Sequence, residues 1–234
     1  MTELFAQLQI HNRTGDNACV ANNGVCPGWI ADNFDRYVGP LGQHLYLTIV
    51  SVAIGFAIAF VLALVAHRRR WLIGPIVQVT GILYTLPSVA VFFLLLPVTG
   101  RGNTTAIIAL VAYSLLILFR NVIAGLENVP TETRDAGRGM GLTPRQLLWR
   151  VELPLALPEI MAGLRIAVTT TVGLASLAFL AGAGGLGEAL FDDIAFRSNV
   201  LVAGGLALGL AVVLDLVVLG IQKAITPWTR AVSA

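Results

Sequence analysis

Charge is what this sequence has least of. Of its 234 residues only 12% are charged, while 56% are hydrophobic; soluble globular domains carry about 25% charged residues. So little polar surface cannot face water on every side, and a lipid bilayer is the expected solvent for much of the chain. The formal net charge of +2 gives no electrostatic footprint for a nucleic acid, so none is expected as a partner. Cysteine is nearly as scarce: Cys19 and Cys26 lie with six residues between them in a polar amino-terminal stretch. Without a Cys-x-x-Cys spacing or a histidine cluster, they do not suggest a metal site. They either close a short disulfide loop outside the cell or stay two free thiols. The three histidines, His11, His44 and His67, are scattered at loops or span edges. With no Ser/His/Asp or Cys/His constellation, this chain is not expected to be an enzyme. The G-x-x-x-x-G-K-[ST] phosphate loop is absent, and the GAGGLG run at Gly182–Gly187 has no lysine and reads as a tight external turn. Met1–Ile10 contains Glu3 and no basic run, so no secretory leader is expected there.

What is abundant is apolar runs. A helix crossing the hydrocarbon core needs about 20 mostly apolar residues, and five stretches qualify: His44–Ala66, Leu72–Val98, Ala106–Ala124, Leu164–Gly182 and Val200–Gln222. The expected fold is therefore all-α, a polytopic bundle of about five transmembrane helices. The second stretch holds Pro75 and Pro87, which predict a kink or half-unwound segment near Thr85–Ser88; two short helices there would make six. Five spans place the ends on opposite sides. With the carboxyl end inside, eleven Lys and Arg residues are cytoplasmic and four, Arg13, Arg36, Arg101 and Arg197, are outside. That bias predicts the amino terminus outside and the carboxyl terminus inside. Residues 1–43 then form an extracytoplasmic segment and 44–234 the membrane domain, with a cytoplasmic loop over 125–163. Gly55 with Ala59, and Gly205 with Gly209, are small-xxx-small pairs expected to serve packing within the chain. Asp215, the one acid deep in a span, is either functional or a structural hydrogen-bond partner near the inner face.

The cytoplasmic loop carries helix punctuation. A first short helix is expected over Thr131–Met140, with Glu132 and Asp135 early and Arg138 late, matching the helix dipole. Gly141 suits the left-handed residue that closes it. Thr143 then reads as an N-cap, Pro144 as the first helical residue and Gln146 as the partner in a capping box. Leu147, Leu148 and Val151 form an apolar face, with Arg145 and Arg150 on another side. Pro154 and Pro158 are expected to prevent a long continuation.

These residues resemble the EAA loop of ABC importer permeases: Glu-Ala-Ala, three residues, Gly, nine residues, Ile-x-Leu-Pro. Here Asp135-Ala136-Gly137 is followed after three residues by Gly141, and after nine more by Val151-Glu152-Leu153-Pro154. The departures are Asp for Glu, Gly for Ala and Val for Ile. The resemblance implies a coupling helix that docks on a separate cytoplasmic ATPase. Asp135, Ala136, Gly137 and Gly141 would shape the loop, and Thr143–Arg150 would touch the ATPase. It also implies a second permease copy or paralogue and an extracytoplasmic solute-binding protein, in a bacterial cell membrane. This chain would bind no cofactor, ATP and Mg residing on the ATPase. Against this stands an amphipathic helix lying on the membrane surface.

The stretches Tyr84–Leu110, Asp135–Ala167 and Phe179–Phe191 resemble osmoprotectant permeases, which implies import of glycine betaine, choline, carnitine or related quaternary amines. A permease for methionine or another small polar solute would keep the same loop; an ion-gradient-driven secondary transporter would need paired intramembrane acids. Candidate pathway residues are Thr85, Pro87, Ser88, Thr169, Thr170 and Thr171, although their hydroxyls can instead bond back to helix carbonyls. Glu188, Asp192 and Asp193 are either solvated or placed to meet a docking protein.

Overall fold

The computed structural model describes residues 18–228; the readings on Met1–Ile10, Arg13 and Arg230 lie outside them. Among the described residues eleven α-helices follow one another: α1 (Ala18–Ala21), α2 (Pro27–Asn33), α3 (Val38–Arg68), α4 (Ile73–Thr85), α5 (Ser88–Thr99), α6 (Asn103–Glu127), α7 (Thr131–Gly139), α8 (Pro144–Leu147), α9 (Leu153–Ala175), α10 (Leu186–Asp192) and α11 (Arg197–Ile225). No strand occurs among the described residues. By length and apolarity three helical segments among the described residues can cross a bilayer: Pro27–Arg68, Asn103–Glu127 and Arg197–Ile225. The pair α4 and α5 makes a fourth, bent by 98° at Leu86–Pro87, where the proline pattern placed a break.

The expected span Leu164–Gly182 is not reproduced. Its helix begins at Leu153, before the apolar run, and ends at Ala175, with a separate 3-10 turn at Ala178–Ala181. Nor do Pro154 and Pro158 halt the chain. A π-helical turn at Leu148–Glu152 joins α8 to α9, Pro154 sits in the first turn of α9, where its missing N–H costs least, and α9 runs on through Pro158.

Small side chains let the long helices close on one another. Ala59, Ala63 and Ala66 of α3 pack with Leu118, Phe119 and Val122 of α6 and with Ala156 and Ile160 of α9. A Cβ on Gly55 would lie 2.2 Å from Ser114 Oγ of α6, so the first small-xxx-small pair does serve packing within the chain. The second does not: Gly205 and Gly209 are exposed and face no other part of the chain within 4 Å.

The two ends of the bundle differ. At one end a disulfide joins Cys19 to Cys26, and the loop it closes is fastened to the start of α11. Cys26 N–H donates to Ser198 Oγ at 2.9 Å, Ser198 Oγ donates to the Gly24 carbonyl, and Asn23 bonds Ala195 and Arg197. Trp29 packs edge-on against Phe196. The glycine run lies at this end too, with Gly182, Gly184 and Gly185 at positive φ and Gln43 bonded to the Ala183 carbonyl. The other end carries α7, α8 and the π turn.

Candidate functional site

The segment after α6 is shaped by local sequence. Helix α7 closes in a Schellman motif: Leu142 N–H donates to the Gly137 carbonyl and Gly141 N–H to the Arg138 carbonyl, with Gly141 at φ +81°. This pairs carbonyls the helix end leaves open. Gly137 is buried; a Cβ there would come within 2.6 Å of Leu147 Cδ1, so its lack of a side chain lets α8 fold back on α7. The capping box forms: Gln146 N–H donates to Thr143 Oγ1, and Thr143 N–H to Gln146 Oε1 at 2.9 Å. Pro144 occupies the first helical position.

The result is a two-faced element. Leu147, Leu148 and Leu153 are buried, the last two within the main core, and Val151 and Pro154 are half-buried. Asp135, Ala136, Thr143, Pro144, Arg145, Gln146 and Arg150 are exposed, as are Met140 at 75% and Trp149 at 52%. A shallow groove runs beside Thr143, Arg145, Gln146, Trp149 and Arg150. Helical turns connect α8 to α9 without a loop.

A polar junction beneath this face was not foreseen. Glu152, which fills the unspecified position in Val151-x-Leu153-Pro154, is buried. Its Oε1 accepts from Arg134 Nε of α7 at 2.9 Å, and its Oε2 contacts His67 Nε2 in the last turn of α3 at 3.0 Å. Arg134 also donates to the Leu126 carbonyl at the end of α6. Between two long helices, half-buried Arg165 of α9 grips half-buried Asp215 of α11 through two hydrogen bonds of 2.8 and 2.7 Å. Asp215 thus makes a hydrogen-bonded ion pair, the structural one of its two readings, with a partner 50 residues away in sequence.

The six candidate pathway residues fall into two groups. Thr85, Pro87 and Ser88 flank the break between α4 and α5, where Tyr113 of α6 donates to the Leu86 carbonyl at 2.6 Å. Thr169, Thr170 and Thr171 lie on α9, the last one buried. Thr85 and Thr169 return their hydroxyls to helix carbonyls, and no side-chain hydrogen bond among the described residues joins the groups. Glu188 and Asp192 are exposed on α10, and Asp193 is half-buried. No group of three or more His, Cys, Asp or Glu side chains that could hold a metal occurs among the described residues.

The family model described as "Binding-protein-dependent transport system inner membrane component" matches residues 47–231. Osmoprotectant import permease protein OsmW of Salmonella typhimurium is 36% identical over 206 residues, covering 85% of this chain and 96% of that protein. The glycine betaine/carnitine/choline transport system permease protein OpuCB of Bacillus subtilis is 33% identical, covering 80% of this chain and 87% of its own length. The choline transport system permease protein OpuBB of the same organism is 34% identical, with coverage of 79% and 86%. Among solved structures, an inward-facing MetNI methionine ABC transporter contains a similar chain, with TM-score 0.69 and 25% identity, covering 82% of this chain and 94% of that one.

Proposed function

We propose a function from the premise that this chain belongs to the family of binding-protein-dependent transport system inner membrane components, and is a multi-pass membrane permease subunit of a bacterial ABC importer. The imported solute is a quaternary-amine osmoprotectant of the glycine betaine, choline or carnitine type. The observation that carries this reading is the agreement of the three relatives: each is 33–36% identical across about four-fifths of the chain or more, and each is named for that solute class.

The permease hydrolyses no ATP; a separate cytoplasmic ATPase binds ATP and Mg and docks on the exposed face of Thr143–Arg150. The capped, rigid α8 and its helical connection to α9 support that docking role. Five candidate loop-shaping or contact positions, Asp135, Ala136, Arg145, Gln146 and Arg150, are open to a partner. A second permease copy or paralogue completes the path, and an extracytoplasmic binding protein delivers the solute. The amino-terminal end faces outward and the carboxyl end inward. Two features support this orientation: the disulfide suits an oxidising compartment, and basic residues outside the bundle core accumulate toward the inner side. Asp215 stands without a second acid and is engaged by Arg165, which favours a permease over an ion-gradient carrier that would need paired intramembrane acids.

The test is uptake into proteoliposomes holding the permease, its ATPase and its binding protein. Glycine betaine should enter only with ATP, and choline or carnitine should compete while methionine does not. ATP-driven methionine uptake without betaine uptake would reassign the solute. Uptake driven by an ion gradient without the ATPase would overturn the importer reading.

A further inference from the structure

We propose that the Glu152 carboxylate is the positioning hub that locks the coupling segment to α3 and α6, so that displacement of α8 moves the crossing helices together; this rests on the permease reading above. Three elements meet at the carboxylate, and a fourth is tied in through Arg134. Glu152 ends the π turn that leads into α9, Arg134 belongs to α7, His67 to the last turn of α3, and Arg134 reaches the last turn of α6.

Fold stability alone is a poor reason for this arrangement. A buried ion pair must overcome the desolvation of its charges, and apolar residues of similar volume often serve stability as well or better. The core beside it, with Leu148, Leu153 and Ala156, is already apolar. What the carboxylate adds is direction. Each oxygen holds a donor from a different helix, and such bonds fix register where apolar contacts permit sliding. Apolar packing does not fill this junction: a cleft of ≈ 220 Å³ opens between the end of α3 and the α7–α8 segment, lined by His67, Arg68, Arg138, Leu142, Pro144 and Glu152 among others. The hub spans one wall of that cleft. Without it, α8 can shift into the open space under the ATPase and the stroke is lost before it reaches α3.

The experiment compares wild type, Glu152→Gln, His67→Ala and the double variant, each reconstituted with ATPase and binding protein. The readout is glycine betaine imported per ATP hydrolysed, at equal amounts of purified complex. Glu152→Gln should still assemble with the ATPase but lower that ratio about fivefold or more, a coupling loss at the lower end of typical values. His67→Ala should lower it as well. The double variant should fall no further than Glu152→Gln, because both changes act through one carboxylate. A ratio that stays at the wild-type value while uptake and hydrolysis fall together overturns the hub, as does a double effect equal to the product of the singles. If Glu152→Gln yields no complex, the ratio for His67→Ala decides alone. A wild-type complex without ATP-driven uptake overturns the permease reading and the hub with it; coupled wild type with equally coupled variants overturns only the hub.

Discussion

Tyr113 shows how single side chains hold an irregular backbone at membrane depth. The break at Leu86–Pro87 frees a carbonyl that no helical N–H can reach, and hydrocarbon offers no water to pair it. The Tyr113 hydroxyl supplies the missing donor at 2.6 Å, while its ring lies edge-on to Tyr84. Tyr113→Phe keeps the ring and removes the donor. It should destabilise the detergent-solubilised protein by about 0.5–1.5 kcal/mol, the net worth of one hydrogen bond. Thermal unfolding checks this; an unchanged midpoint would mean that the carbonyl finds another partner. The Arg165–Asp215 pair follows the same logic, since a charge within an apolar helix is tolerated when another charge answers it.

At the scale of elements, what was legible in the sequence was what depends on neighbours a few residues away. The capping box of Thr143 and Gln146, the left-handed Gly141 and the break before Pro87 each arise within four or five residues, and all three are present. The fate of Pro154 and Pro158 was not legible, because continuation depends on a π turn that propensity does not encode. Neither was the Glu152 junction: its partners lie 85 and 18 residues away, and Arg165 is 50 residues from Asp215. Composition shows that charges in a span need partners, but only the packing of α3, α7, α9 and α11 selects which. The amino-terminal lobe is a further case, since its bonds to the start of α11 cross more than 170 residues. Closing the short Cys19–Cys26 loop is worth about 2 kcal/mol in the chain-entropy picture. Cys19→Ser with Cys26→Ser should therefore lower the unfolding midpoint and speed amide exchange at the start of α11. Unaltered exchange there would show that the lobe does not fasten that helix.

For the whole molecule, the design is a bundle with two unlike ends. One end is stapled by a disulfide and polar bonds into a single assembly; the other presents a capped helix whose buried side is continuous with α9 and which, with the π turn after it, exposes Arg145, Trp149 and Arg150. As a binding-protein-dependent transport system inner membrane component, this chain is one part of a larger transport system. The most direct measurement is co-purification of the ATPase with wild type and with Gly141→Val, followed by ATP-driven glycine betaine uptake. Gly141 sits at φ +81°, where a β-branched residue is a steric outlier, so the variant turns α8 out of its register while leaving the crossing helices intact. Loss of both ATPase association and uptake, with the variant folded in detergent, is the result predicted. Full association and full uptake by the folded variant would contradict the account.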